Sequence, residues 1–148
     1  MKSVKVITVA ESRALEQAAD QGGLSFAQMM ENAGRATARA VEQLLPLRER
    51  RVLVLVGPRN NGGDGLVAAH YMAQMGARVT CYLWKRKAEG DAHLDRVQAG
   101  GLPVIWAEDD DGQALQGLLL AADLVVDALL GVGVSLPLRE DLRSLLAA

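Results

Sequence analysis

The chain has 148 residues, half of them apolar, with a net charge of −2 and one cysteine. That length suffices for one domain with one sizeable core, and the even spread of apolar residues excludes a disordered chain. The small negative charge, with no basic stripe, excludes a nucleic-acid binder that works through bulk charge. No apolar run is long enough to span a bilayer, and the opening "MKSVKVITVAESR" lacks a signal-peptide core and cleavage site. A soluble, cytoplasmic protein with no membrane partner is expected. Cys81, inside Val79–Leu83, reads as a small buried hydrophobe in a reducing compartment.

Thr8-Val9-Ala10-Glu11 and Ser25-Phe26-Ala27-Gln28 both fit a capping box, predicting helices over about 9–21 and 26–45. Gly22-Gly23 separates them and Pro46 ends the second. Gly34 inside the second helix costs about 1 kcal/mol relative to alanine. It is easiest to explain by close packing, with a partner subunit as one candidate. The period then changes. "RRVLVLVG" is a short β-branched run, as a strand buried on both faces requires. "DGLVAAHYMAQMG" is helical, with Gly76 placed just past its C-terminus. "ARVTCYLW", "LPVIWAE" and "DLVVDALLG" read as further strands. They alternate with the helical "GDAHLDRVQAGG", "DDGQALQGLLLAAD" and "REDLRSLLAA". This alternation predicts a parallel sheet with right-handed crossovers and helices on both faces. The last helix reaches Ala148 without a cap, so the domain is expected to be cut short at its C-terminus.

In an open parallel sheet, ligands bind beyond the C-terminal ends of the strands. Two stretches leave such ends with unusual composition. The first is "VGPRNNGGDGL", read as a loop that opens a helix near Asp64. Gly62, Gly63 and Gly65 would allow positive φ and close approach of a ligand to the backbone. A phosphate loop of the Walker type needs G-K-[ST] here, whereas the chain has Gly63-Asp64-Gly65. An aspartate at the helix start already satisfies the dipole and repels phosphate. The dinucleotide fingerprint G-x-G-x-x-G fails too, because Arg59 stands where its second glycine belongs. Asn60, Asn61 and Asp64 remain, and their groups suit hydroxyls, carboxamides and hard cations. The second stretch is "DALLGVGVSLP", residues 127–137. Asp127 ends a strand as a hydrogen-bond acceptor or cation ligand, and Gly131-Val132-Gly133 offers backbone amides. The two stretches lie on non-consecutive strands that a doubly wound sheet can bring face to face. Neither a Cys/His metal cluster nor a Ser-His-Asp arrangement is visible.

"MMENAG" (29–34), "GPRNNGGDGLVAA" (57–69) and "DALLGVGVSLPL" (127–138), in this order and spacing, resemble the YjeF N-terminal-domain family, the NAD(P)H-hydrate epimerases. The likeness covers the whole chain as a single domain, 1–148. It implies a Rossmann-like three-layer α/β/α sandwich with a mostly parallel sheet and two N-terminal helices, and usually a homodimer. It implies interconversion of the R and S forms of hydrated NADH and NADPH (NADHX and NADPHX), in partnership with an NAD(P)HX dehydratase, and a bound potassium ion. By matching motif, Asn60, Asn61, Gly62, Gly63 and Asp64 would touch the substrate. Gly131, Val132, Gly133, Val134, Ser135, Leu136 and Pro137 would cradle its phosphates, and Asn61 and Asp127 would ligate potassium. Arg59 replaces the family's usual glycine, and Leu136 stands where the family often has arginine. The family's downstream D-x-P-S-G segment, with the aspartate expected to be catalytic, would lie beyond Ala148. The rival expectation is a non-catalytic ligand-binding or dimerisation scaffold of the same fold.

Overall fold

A computed structural model describes residues 5–132, 134 and 136–147. Helices α1 (Val9–Gln21) and α2 (Phe26–Leu44) lead into strand β1 (Arg51–Val56). Then follow α3 (Asn60–Gln74), β2 (Arg78–Leu83), α4 (Ala92–Ala99), β3 (Val104–Trp106), α5 (Gln113–Ala121), β4 (Leu124–Ala128) and α6 (Glu140–Leu146). The local signals act where they were expected. Thr8 and Glu11 form a reciprocal capping box at α1. Ser25 accepts from the Gln28 amide, but the Gln28 side chain turns to Asn32 instead, so only half of that box closes. Gly76 follows α3 with a φ of 95°, the left-handed conformation that a helix exit favours. Asp110 accepts from the Ala114 and Leu115 amides at the start of α5.

The four strands are parallel, in the order β3-β2-β1-β4. On one face, Ala38 of α2, Leu66, Ala69 and Met72 of α3, and Leu94 and Val97 of α4 pack on Val52, Val54 and Val56. On the other, Leu115 of α5 and Leu142 of α6 pack on Leu53, Leu55 and Tyr82. This is the expected three-layer sandwich. Its inward side chains alternate along β1, which explains why that strand reads as continuously apolar. Cys81 is fully buried, and burial pushes its thiol up to about 12. Such a thiol stays protonated and inert.

Gly34 lies where α2 crosses α3. A Cβ there would sit 2.5 Å from the Val67 side chain and 2.8 Å from the Ala68 nitrogen. The close packing is therefore within the chain, and no partner subunit is needed to explain this glycine. By contrast, none of α1's residues is buried. The capping box marks its start, and none of its side chains enters the sheet's core.

Candidate functional site at the β1–β4 switch point

Helix α3 begins at Asn60, four residues earlier than the composition of this segment suggests. Its N-cap is Arg59, in extended conformation and without a side-chain capping bond. Asp64 therefore lies in the second turn and caps nothing. The glycines are also used differently from expectation, since Gly57, Gly62, Gly63 and Gly65 are absent from the positive-φ residues. What they provide is closeness. A Cβ on Gly57 would fall 1.9 Å from the Leu129 carbonyl oxygen. On Gly62 it would fall 2.0 Å from the Gly57 carbonyl oxygen and 2.7 Å from Arg86 Nη1. Gly63 and Gly65 give room to Met30 and Ala128 respectively. The helix is thus wedged against α2, β4 and the β1 exit on successive sides, and only glycine fits.

This wedging brings the two sequence stretches together. The chain lays β2 and β3 on one side of β1, then returns to lay β4 on the other. The β1–β4 boundary is the switch point where ligands of such sheets bind. Leu55 pairs with Asp127 and Val56 with Ala128, and the Gly57 amide donates to the Ala128 carbonyl at 3.0 Å. Beyond the strands, Asn61 Nδ2 donates to the Leu130 carbonyl at 2.7 Å. The Leu129 amide donates to Asp127 Oδ1 at 3.0 Å. Asn61 and Asp127 therefore hold the same short turn from its two sides. Gly131 lies against Asn61, because its Cβ would be 3.0 Å from the Asn61 Cβ.

The donor set suits a hard cation. Asn61 uses its amide nitrogen on the turn, which leaves Oδ1 for a ligand. Asp127 is exposed, and no described cation pairs with it. Among the described residues no cluster of three His, Cys, Asp or Glu could hold a metal. Amide, carboxylate and carbonyl oxygens suit hard ions rather than transition metals.

A cleft of about 260 Å³ opens beside this turn, lined by Arg59, Trp84, Lys85, Gly131, Pro137 and Arg139 among others. Lys85 and Arg139 also pair with Asp141. Three cationic side chains around one cleft favour an anionic ligand. A larger depression of about 390 Å³ lies at the opposite, N-terminal ends of the strands. Its lining is mostly aliphatic, without the convergent polar groups that mark a site.

Of the expected contact residues, Asn61 and Gly131 face each other across the switch point, while Gly62 and Gly63 are buried in packing. Asn60, Val132, Val134, Leu136 and Pro137 are exposed, and Val132, Val134 and Pro137 line the cleft. Gly133 and Ser135 lie outside the described residues. Asp64 is half-buried on α3. Burial, with Glu16 of α1 adding repulsion, pushes its carboxyl up to about 6. A raised carboxyl pKa means that the folded state holds this proton more tightly than the unfolded chain does. Stability is then lost as pH rises from about 4 to about 6. Asp64→Asn is accordingly expected to stabilise the protein at pH 7.5 and to change little at pH 4. Water still reaches the carboxylate, so the gain is about 1 kcal/mol rather than that of a dry site. Paired thermal melts at the two pH values test it, and an equal shift at both refutes the assignment.

Arg86, outside both sequence stretches, also belongs to this region. Its Nη1 donates to the Gly57 carbonyl at 2.9 Å and to the Arg59 carbonyl at 3.1 Å. Its Nε donates to Asp91, and both side chains are 10% exposed. Burial alone would raise the Asp91 carboxyl. Arg86 and the Leu94 and His93 amides outweigh that and hold it below its ordinary value.

A parallel sheet covered by helices on both faces, with polar groups converging at its switch point, defines a Rossmann-like ligand-binding domain. The chain belongs to the family of YjeF-related protein N-termini, whose model matches residues 26–148. It is 37% identical over 150 residues to a bifunctional NAD(P)H-hydrate repair enzyme Nnr of Thermofilum pendens. That match covers 98% of this chain and 28% of the relative. It is 39% identical over 122 residues to an NAD(P)H-hydrate epimerase of Ajellomyces capsulatus, covering 82% of this chain and 49% of that one. The crystal structure of the yeast protein ynu0 superposes with a TM-score of 0.85 at 28% identity, over 97% of this chain and 64% of the other. The chain thus spans about half the length, or less, of these two sequence relatives. No described helix is long and apolar enough to cross a membrane.

Proposed function

We propose that the chain interconverts the R and S forms of hydrated NADH and NADPH. The observation that carries this reading is the joint hold of Asn61 and Asp127 on the Leu129–Gly131 turn, at the switch point of a YjeF-type domain. It accords with the names of both sequence relatives. The scaffold reading accounts for the hold on the turn but leaves the exposed Asp127 carboxylate without a ligand.

The substrate carbon bears both a hydroxyl and the ring nitrogen. The nitrogen lone pair expels the hydroxyl, which takes up a proton and leaves as water. Water then adds to the opposite face of the ring cation and gives up a proton, and the electron pair returns to nitrogen. Proton transfer of this kind needs a positioned acid–base group. Asp64 and Asp127 are the motif carboxylates of this chain, and Asp64 is the one whose carboxyl is raised by burial, to about 6. Asn60 would hold polar groups of the substrate, with Asn61 beside it. The segment 131–137 would receive the phosphates, with Arg59, Lys85 and Arg139 around them. Asn61 Oδ1 and Asp127 would hold a potassium ion, which supplies fixed positive charge and rigidity to the turn. We further place the protein in the cytoplasm as a homodimer that hands its product to an NAD(P)H-hydrate dehydratase.

The test follows S-NADPH hydrate by chromatography, with the purified chain in potassium or in sodium buffer. Conversion to the R form faster than the spontaneous rate, and faster in potassium, is expected. A rate equal to the uncatalysed one in both buffers rejects the function. Binding of NADP without turnover would favour the scaffold.

A further inference from the structure

We infer that Arg86 is a positioning residue that sets the place of Asn61, by holding together the two carbonyls from which helix α3 departs. The inference rests on the site proposed above and goes beyond it, because Arg86 lies outside all three family-like motifs.

Three observations converge on this side chain. First, a single nitrogen, Nη1, donates to the carbonyls of both Gly57 and Arg59. Gly57 is the residue that leaves β1, and Arg59 is the N-cap of α3. The Arg59 carbonyl also accepts the first helical bond of α3, from the Gly63 amide at 3.2 Å. The guanidinium thus fixes the angle at which helix leaves strand, and Asn61 stands two residues beyond the N-cap Arg59. Second, Gly62 is the position where a Cβ would strike both the Gly57 carbonyl and Arg86 Nη1. The absent side chain makes the space into which the guanidinium reaches. Third, Arg86 is itself anchored. Its Nε is bound to Asp91, whose other oxygen caps α4 through the His93 and Leu94 amides. A buried, planar, multiply bonded guanidinium has little freedom, which suits it to carry position rather than to recruit a mobile ligand. The chain of contacts runs from the α4 cap through Asp91 and Arg86 to the α3 start. From there Asn61 carries it to the Leu130 carbonyl.

A role confined to stability and a positioning role differ in what they predict. Arg86→Gln keeps one donor but loses the fork and the charge. Arg86→Lys keeps the charge but cannot satisfy two carbonyls and Asp91 together. Both variants are compared with the wild-type chain by thermal melt, by steady-state kinetics on S-NADPH hydrate, and by the ¹⁵N–¹H resonances of the Asn61 side-chain amide. Positioning predicts that kcat falls about tenfold in Arg86→Gln, with KM changed less than about twofold. It also predicts that the Asn61 amide protons shift and exchange faster, and that Arg86→Lys recovers little. A lowered Tm with kcat within twofold of wild type and Asn61 resonances in place overturns the inference. Should Arg86→Gln fail to fold, Asp91→Asn takes its place, since it removes the charge that anchors Arg86 Nε and so frees the guanidinium to leave the two carbonyls. Unmoved Asn61 resonances in that variant are equally fatal. A wild-type chain without epimerase activity would remove the proposed function alone, because the resonance measurement still decides the role of Arg86.

Discussion

Gly57→Ala is expected to destabilise the protein by at least about 3 kcal/mol and to abolish activity. The added Cβ would meet the Leu129 carbonyl oxygen at 1.9 Å and the Leu129 carbonyl carbon at 2.7 Å. These are main-chain atoms of the neighbouring strand's exit, so no rotamer change relieves the clash. Overpacking of ordinary cores costs about 1–3 kcal/mol when side chains can give way. Here the backbone of β1 or of the Leu129 turn must move, and the register of Asn61 moves with it. In a domain of this size the loss corresponds to a fall in Tm of roughly 6–12 °C. Gly117→Ala is the control. It lies in α5 with nothing within 4 Å of its would-be Cβ, and is expected to be neutral or to stabilise by up to about 1 kcal/mol. Differential scanning calorimetry of the two variants reads both. A Gly57→Ala Tm within about 2 °C of wild type would mean that β1 and the Leu129 turn do not approach this closely.

Asp127→Ala should do the reverse, leaving the fold and removing the chemistry. The side chain is exposed and makes one local contact, to the Leu129 amide. Its loss is expected to lower Tm by only a few degrees. The loss in kcat/KM should be about 100-fold or more, as for other groups that organise charge in an active site. Asp127→Asn separates two roles. The amide oxygen can still accept from Leu129, so the turn survives, but the negative charge is gone. If Asp127 works by charge, for example on a cation, the asparagine variant is as inactive as the alanine variant and loses the difference between potassium and sodium. A rate unchanged in Asp127→Ala would remove this residue from the site.

Much of the architecture was legible because its causes are local. β1 announces itself as a run of apolar residues, since a strand buried on both faces has no polar side to show. Thr8 and Glu11 mark the start of α1 because their bonds span three residues. The start of α3 was not legible for the opposite reason. Two asparagines and three glycines argue for a loop by propensity, and the forces that make them helical come from Met30, Arg86 and Ala128, all far along the chain. The third strand is shorter than its apolar run suggests. Only Val104–Trp106 pair with β2, and the chain then tightens into a short 3₁₀ turn at Ala107–Asp109. Within the site, Asn61 and Asp127 could be singled out by residue type, but their common hold on one turn depends on β4 returning beside β1. Arg86 gave no signal of its own. It sits in the charged run "WKRKAEG", where an arginine ordinarily faces water. The one hint was Gly62, which says that something must come close without saying what.

The return of β4 to the side of β1 also sets an order of events during folding. The Arg51–Asp123 and Asn61–Leu130 contacts join residues 72 and 69 positions apart, the widest spans among the described side-chain hydrogen bonds. The β1–β2 pairing, by contrast, joins Arg51 to Arg78 and needs only the α3 crossover. Closing the longer loop costs more chain entropy, so the β1–β4 pairing is expected to form after the β1–β2 pairing. The pairing that brings Asn61 and Asp127 together is then a late arrival. The candidate site comes into being as β4 joins β1, so a chain that binds a ligand there reports that this pairing has formed.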